Sequence, residues 1–261
     1  GTLMTMEYAR RYPILTVACG PTNSIRGAGY LSHIQNAIVV DVGGTTTDLG
    51  VIQNGFPRES SVAVTIGGVR TNFRMPDVIS IGLGGGSIVR EQQDGTITVG
   101  PDSVGFEVRE KALVFGGDVM TATDIAVRLG MVELGDITKT ECISRETAEK
   151  AMAVIRGLVE DSIDSMKISN ADMDVILVGG GSIILPDRLE GAASVTKPEH
   201  FGCANAIGSA ISKVSGTFEK LINYDEIPRE QALEQAKAEA VEIAVGAGAI
   251  RSTAGLAPNT G

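Results

Sequence analysis

The stretch NAIVVDVGGTTTDLGVIQNG, from Asn36 to Gly55, places a polar cluster between two apolar runs. The runs Ala37–Val42 and Leu49–Gln53 are rich in β-branched residues, which is typical of buried strands. The glycine–threonine segment between them is typical of a turn. The sequence therefore predicts a hairpin whose turn is formed by residues 43–46.

The predicted turn has the composition of a phosphate-binding loop. Gly43 and Gly44 allow neighbouring backbone N–H groups to point into one concave nest, in which a phosphate group can sit. Thr45 and Thr47 can add hydroxyl donors. We therefore expect these four residues to contact phosphate.

Two acids flank the turn. Asp41 ends the incoming strand and Asp48 starts the outgoing one, so the predicted pairing places both at the same end of the hairpin. Mg²⁺ favours one or two carboxylates together with waters and phosphate oxygens. Asp41 and Asp48 are therefore candidate metal ligands and catalytic residues. The alternative is a tight polar hairpin in which the acids accept hydrogen bonds from turn amides.

Composition limits the classes of partner. The chain has 261 residues, 43% of them hydrophobic, and a formal net charge of -10 at pH 7. This argues against nucleic acid or an anionic membrane as the main partner. There is no apolar run of the ~18 residues that a membrane span needs and no visible signal peptide, so we expect a cytoplasmic protein. Cys19, Cys142 and Cys203 form no CxxC pair and are expected to be reduced, buried thiols.

Further apolar runs bounded by Gly, Pro, Asn or Asp predict the strands Ile14–Ala18, Ser61–Ile66, Val78–Ile81, Thr96–Val99 and Val175–Val178. Helical spacing after the capping residue Ser144 predicts a long amphipathic helix. Another helix is expected between Pro228, which suits a first helical turn, and Gly246. Small residues in Pro21–Ser32 and Ala204–Val214 predict two helices that can pack closely on a neighbour.

Glycine clusters follow several predicted strands. They are Gly43-Gly44, Gly67-Gly68, Gly84-Gly85-Gly86, Gly116-Gly117 and Gly179-Gly180-Gly181. The chain has no GxxxxGK[ST] motif, and GLGGGS at Gly82–Ser87 lacks the last glycine of GxGxxG, so neither a P-loop nor a Rossmann site is expected. A simple turn accounts for Gly67-Gly68. The segment Gly84–Ser87 suits a second anion or nucleotide-edge loop and, equally, a plain strand-to-turn role.

Four segments resemble motifs of the actin-like ATPase superfamily. The hairpin resembles its phosphate hairpin, and VILVGGGSIILP (Val175–Pro186) resembles its adenosine motif. ACGPTNSIRGAGYLS (Ala18–Ser32) and NAIGSAIS (Asn205–Ser212) resemble its two connecting helices. The fold that this implies is α/β, actin-like (ribonuclease H-like), with a mixed sheet, a phosphate-binding β-hairpin and flanking helices. Gly179, Gly180 and Gly181 would flank the adenosine.

A narrower resemblance is to the hydantoinase/oxoprolinase family. It rests on DVISIGLGGGSIV (Asp77–Val89), ITVGPDS (Ile97–Ser103) and MTATDIAVRLG (Met120–Gly130) and extends from Thr16 to Gly248. The chain departs from the family at two places. Ile79 stands where members often have a histidine. The segment VGFEVREKALVFGG (residues 104–117) stands where members often have a loop with Pro-Gly-Pro. Members also carry a comparable hairpin in an N-terminal domain, so we expect a fragment of a longer chain.

The resemblance implies an ATP-dependent hydrolase of a cyclic amide such as hydantoin, 5-oxoproline or a related lactam. Phosphorylation of the amide oxygen would create a leaving group, and transfer would depend on positioning and charge stabilisation. ATP and Mg²⁺ are the implied cofactors. The implied nucleotide and metal site comprises Asp41, Gly43, Gly44, Thr45, Thr47, Asp48, Gly84, Gly85, Gly86, Gly179, Gly180 and Gly181.

Three alternatives stay open at this point: a small-molecule kinase or ATP-dependent carboxylase of the same fold, a nucleotide-switched binding or assembly protein, and a fragment without activity of its own. A second enzyme subunit and a homo-oligomer are both possible partners. We expect a connecting segment and helix at residues 1–35 and an ATPase subdomain with hairpin and adenosine motif at 36–250. Residues 251–261 are expected to be a disordered tail or the start of a missing segment.

Overall fold

The computed structural model describes residues 3–60, 65–66, 68–70, 75–223 and 225–255. The helices are α1 (Met6–Arg11), α2 (Cys19–Ser32), α3 (Val108–Lys111), α4 (Ala122–Arg128), α5 (Arg145–Met166), α6 (Ala204–Ala210) and α7 (Arg229–Gly246). The strands are β1 (Ala37–Val42), β2 (Thr47–Gln53), β3 (Phe56–Pro57), β4 (Thr65–Ile66), β5 (Val69–Arg70), β6 (Val78–Ile81), β7 (Ser87–Glu91), β8 (Ile97–Ser103), β9 (Met173–Val178) and β10 (Ala192–Thr196).

The main sheet is mixed. Strand β1 pairs antiparallel with β2 and parallel with β9, and β9 pairs parallel with β10. The other edge of β2 receives β6 and β3 at different positions along its length. Because β1 and β9 run parallel, the turn after β1 and the loop after β9 leave the sheet at the same end of the strands. The sheet thus brings two of the predicted glycine loops together.

Helices cover both faces of this sheet. Alternate residues of β1 point to opposite faces. Ile38, Val40 and Val42 join the core that contains α4 and α5, whereas Ala37 and Val39 join a second core with residues of α2 and α6. The predicted mixed sheet with flanking helices is confirmed.

The hairpin of the opening stretch is confirmed in register. Strand β1 has the predicted bounds, and β2 begins two residues earlier than expected, at Thr47. The turn comprises residues 43–46, and Asp41 lies directly opposite Asp48.

The predicted strand Ile14–Ala18 is wrong. Residues Pro13–Thr16 form a 3-10 helix that begins at the proline, and the Thr16 hydroxyl donates to the Pro13 carbonyl over 2.7 Å. Ala18 follows in the left-handed region, with φ of 59°. A proline start and a local side-chain hydrogen bond stabilise a turn here despite the β-branched composition.

Other expectations hold within a few residues. Ser144 caps α5 through Thr147 N, and α7 begins just after Pro228 and ends at Gly246. The helix expected at Ala204–Val214 is shorter and ends at Ala210. The expectation of buried thiols is wrong, because the three cysteines, although free, are exposed.

Several predictions fall partly or wholly outside the described residues. They are the strand Ser61–Ile66, of which only Thr65 and Ile66 are described and belong to β4, the turn at Gly67, and residues 256–261 of the tail. Within the described ranges, none of the helices combines the length and the apolar character required to cross a bilayer.

The chain forms two compact units, one of them Gly20–Gly208. The other combines the described residues before 20 with those after 208. In this second unit, Leu3 N donates to Lys213 O and Thr5 N to Ala247 O, which ties the N-terminal segment to the chain after α6 and to the C-terminal end of α7. The predicted division at residues 35 and 250 stays a prediction.

Helices α2 and α6 pack through glycines. A Cβ on Gly27 of α2 would overlap the Ala204 carbonyl oxygen, and a Cβ on Gly208 of α6 would overlap the Asn23 carbonyl oxygen. Both obstacles are backbone atoms, which cannot turn aside. The close helix packing predicted from small residues is therefore confirmed.

We expect Gly27→Ala to lower the free energy of unfolding by about 2 kcal/mol, the usual scale of an overpacking change. Gly157→Ala is the matched control, because Gly157 is also inside a helix, α5, but has no atom near its Cβ position. The control variant should be stabilised by about 0.5–1 kcal/mol through helix propensity alone. Urea unfolding followed by circular dichroism measures both. Equal behaviour of the two variants would contradict the packing described here.

Candidate functional site

The turn at residues 43–46 offers backbone donors to solvent. Gly43 N donates to Thr46 O over 2.9 Å and closes the turn. The N–H groups of Gly44 and Thr45 donate to no acceptor in the part of the chain that the structure describes, and both residues are exposed. Two adjacent unpaired amides at a glycine turn can bind an anion.

Asp41 and Asp48 lie on the same face of the hairpin. Residues of β1 that share the face of Asp41 pack on α2, and so does Gly50 of β2, two residues after Asp48. The two carboxylates therefore sit side by side at the end of the sheet next to the turn. Asp48 accepts a hydrogen bond from the Ser80 hydroxyl.

Burial raises the pKa of Asp41 above the ordinary aspartate value. A hydrogen bond from Ser24 lowers it in part, and the negative charge of Asp48 raises it further. Asp41 thus resists carrying a negative charge in the absence of a cation.

A small polar network supports Asp41 from the helix side. Ser24 of α2 is buried and accepts a hydrogen bond from Asn205 Nδ2 over 3.0 Å. The same Asn205 nitrogen donates to Gly20 O over 2.9 Å. Ser24, Asn205 and Ser80 were not predicted as residues of this site. Ser80 could have been found only by pairing β6 with β2, which places Ser80 opposite Asp48.

The loop after β9 packs directly on the hairpin. Gly179 has φ of +82°, and a Cβ there would overlap Asp41 Oδ1. A Cβ on Gly181 would overlap the Gly43 carbonyl oxygen, whereas Gly180 has open space around its Cβ position. Glycine is therefore required at 179 and 181 for this close approach. The predicted adenosine loop thus lies against Asp41 and the start of the turn.

The loop after β6 supports the turn through its amides. Gly85 N donates to Gly43 O over 3.0 Å, and Gly86 N donates to Gly44 O over 2.7 Å. Gly84 N donates to the Ser87 hydroxyl over 2.8 Å. These three donors are engaged within the protein, so the geometry favours the strand-to-turn alternative for this segment over direct anion binding.

The hydroxyls of Thr47 and Thr123 also stabilise the loop after β6. Thr47 is fully buried, and its hydroxyl donates to Leu83 O over 2.7 Å. Thr123 donates to Gly85 O through its hydroxyl over 2.8 Å. In this conformation Thr47 is not available as a phosphate donor, which differs from the sequence-based expectation, whereas Thr45 remains exposed at the turn.

The donor set suits magnesium in combination with a phosphate. In the described ranges, no group of three or more His, Cys, Asp or Glu side chains is arranged to hold a metal ion. Two adjacent carboxylates are nevertheless a fitting partial set for Mg²⁺, which completes its octahedron with waters and phosphate oxygens. Asp41 and Asp48 would hold the ion, either directly or through water.

These features define an α/β protein with a glycine-rich hairpin turn, flanked by two carboxylates, at the end of a mixed sheet. The chain belongs to the hydantoinase/oxoprolinase family, whose model matches residues 1–176.

Two curated relatives illustrate the family. The acetophenone carboxylase gamma subunit of Aromatoleum aromaticum is 32% identical over 117 residues, which is 43% of this chain and 16% of that protein. The caprolactamase subunit alpha of Pseudomonas jessenii is 27% identical over 180 residues, which is 68% of this chain and 25% of that protein. The matched part of the chain therefore spans a quarter or less of each relative's length.

Two solved structures share the fold. The ATP-dependent caprolactamase from Pseudomonas jessenii superposes with a TM-score of 0.66 at 20% identity, covering 88% of this chain and 38% of that one. Nucleotide-free acetone carboxylase superposes with a TM-score of 0.60 at 19% identity, covering 88% and 39%.

We expect Asp41→Asn to raise the melting temperature at pH 7 by roughly 2 °C in the presence of EDTA. The folded pKa of Asp41 is raised, so the folded state favours the neutral form, and ionisation costs stability as pH rises through that pKa. The neutral asparagine avoids this cost. Below the ordinary aspartate pKa both proteins are neutral at residue 41, and the difference should disappear.

Differential scanning calorimetry from pH 3 to pH 8 measures this effect. Asp164→Asn is the control, because Asp164 lies on α5 with its side chain 85% exposed. A melting temperature for Asp41→Asn that is equal to or below that of the unchanged protein at pH 7 would sink the assignment of electrostatic strain to Asp41.

Proposed function

We propose that this chain carries the phosphate-binding part of an ATP-dependent enzyme that opens a cyclic amide. The observation that carries the proposal is the placement of paired Asp41 and Asp48 beside the unpaired amides of Gly44 and Thr45. Family membership supports it, as does the name of the relative called caprolactamase.

Each part of the hairpin has a role in this proposal. The Gly44 and Thr45 amides bind phosphate oxygens and stabilise their charge without a basic side chain. Asp41 and Asp48 hold Mg²⁺, and Ser24 and Ser80 fix the orientation of the two carboxylates. Gly179 and Gly181 allow the nucleoside end to approach the same turn. ATP, when bound, supplies the phosphoryl group that converts an amide oxygen into a leaving group.

A second candidate function is ATP-dependent carboxylation of a ketone. It is supported by the relative named acetophenone carboxylase gamma subunit, the more similar of the two relatives by identity. Both reactions begin with activation of a carbonyl oxygen, so the same hairpin suits either. In lactam hydrolysis water attacks the carbonyl carbon, whereas in carboxylation the carbon next to the carbonyl attacks an electrophilic carboxyl donor.

The names of the two relatives also support the presence of a partner subunit. The relatives carry the names gamma subunit and subunit alpha, and we propose that this protein also works with a second subunit. The assay below therefore uses the full-length gene product together with its co-purifying subunits.

We expect Mg²⁺-dependent ADP release to be stimulated by one compound from a panel of hydantoin, 5-oxoproline, caprolactam and acetophenone with bicarbonate. Asp41→Asn should reduce the stimulated rate at least about a hundredfold, because the cation then loses a charged ligand. Asp164→Asn should keep the rate within about twofold, since surface changes away from a site have small effects.

Product analysis separates the candidates. An opened amide supports the hydrolase, and a carboxylated ketone supports the alternative. A phosphorylated product that accumulates would identify a kinase instead. If Asp41→Asn and Asp164→Asn behave alike in a stimulated assay, the hairpin has no part in catalysis and the proposal is wrong.

A further inference from the structure

An exposed aromatic residue, Phe106, follows a glycine that lies beside the turn at residues 43–46, which is called the phosphate turn after its proposed function. Phe106 is 95% exposed and sits in a 3-10 turn, Gly105–Glu107, just after β8. A Cβ on Gly105 would lie 3.7 Å from Thr45 Oγ1, and a Cβ on Gly44 would lie 3.9 Å from Gly105 O. Phe106 is therefore one residue from the backbone that contacts the phosphate turn.

The backbone before Phe106 is fixed to the glycine loops. Val104 N donates to Gly86 O over 2.9 Å. Gly105 N donates to Ser103 Oγ over 3.0 Å, and Ser103 Oγ donates to Gly44 O over 3.3 Å. The backbone that precedes Phe106 is thus held at a defined position.

The other end of the same segment is also fixed. Asp124 is fully buried, and it accepts hydrogen bonds from Val114 N over 2.8 Å and from Leu113 N over 3.3 Å. The segment between residues 104 and 117, which departs from the family pattern, is therefore anchored at both ends. A large apolar side chain that is exposed on an anchored backbone next to this turn is available to contact a ligand.

The position of Phe106 along the turn distinguishes it from the loop after β9. Gly179 and Gly181 pack on Asp41 and on the first residue of the turn, whereas Gly105 packs on Gly44 and Thr45. If the nucleoside lies beside Gly179–Gly181, as the proposed function has it, phosphates on the unpaired Gly44 and Thr45 amides would lie on the Gly105 side of the turn. A molecule that receives the terminal phosphoryl group would then approach from the side of Phe106.

We propose that Phe106 is a specificity-determining residue that contacts the aliphatic face of a lactam ring. This inference rests on the proposed function. An apolar ring gains from contact with the phenyl group, whereas the carboxylate of 5-oxoproline would lose hydration there. The substrate class is accordingly an uncharged lactam with an aliphatic ring.

The test compares Phe106→Ala and Phe106→Leu in the full-length enzyme with its subunits, using caprolactam and 5-oxoproline as probes. We expect Phe106→Ala to raise KM for caprolactam about tenfold and Phe106→Leu to raise it less than about threefold. KM for Mg·ATP should not change in either variant, because the phosphate contacts are backbone amides. Ile168→Ala is the matched control, since Ile168 is an 80% exposed apolar residue that precedes β9 at the opposite edge of the sheet.

Four results would overturn the inference, and they are distinguishable. If caprolactam stimulates the unchanged enzyme but Phe106→Ala has the same KM, the contact does not exist and the proposed function stands. If Phe106→Ala raises KM equally for 5-oxoproline, the residue does not select an apolar ring. If Phe106→Ala lowers the melting temperature where Ile168→Ala does not, Phe106 packs on other protein instead. If neither compound stimulates the unchanged enzyme, the proposed function fails and this inference falls with it.

Discussion

The close backbone contact between two glycine loops is the constraint on which the site depends. The amides of Gly85 and Gly86 donate to the carbonyls of Gly43 and Gly44, and this is possible only because no Cβ stands between the loops. A Cβ on Gly84 would lie 2.6 Å from Gly44 C and from Thr45 N. The carbonyl side of the turn is therefore occupied by protein, which leaves the amides of Gly44 and Thr45 on the solvent side. The conformation of the phosphate turn is imposed by its neighbours.

The electrostatics of the proposed site would couple the binding of metal and phosphate. The protein is acidic, and the turn is flanked by two carboxylates, so a bare phosphate would meet repulsion rather than a basic patch. A divalent cation between Asp41, Asp48 and the phosphate changes the sign of this interaction and also relieves the burial cost that raises the Asp41 pKa. Nucleotide and Mg²⁺ should therefore bind together, and neither should bind tightly alone.

Two β-branched runs around a glycine pair made the hairpin predictable, whereas side-chain type did not reveal what the loops do. Ala37–Val42 was predicted with its observed bounds because a buried β-branched run ends at a glycine pair. Ile14–Ala18 has similar composition, but Pro13 and the Thr16 hydroxyl stabilise a 3-10 turn. The partners of the Gly85 and Gly86 amides could not be predicted, because every residue type has the same N–H group. The Thr47 hydroxyl donates to Leu83 O, which is 36 residues away in the sequence, so this partner could not be predicted either.

In the proposed function, the site separates phosphate recognition from substrate recognition. The proposed phosphate contacts come from backbone amides, whose geometry is set by Gly84 and Gly181, where a Cβ would overlap the turn. The contact proposed for the substrate comes from one side chain, Phe106, on a segment whose backbone is anchored independently at Ser103 and near Asp124. A substitution at residue 106 can therefore alter the apolar surface without disturbing the turn. Such a division would allow one hairpin to serve different carbonyl substrates, because the fold and the phosphate contacts need not change with the substrate.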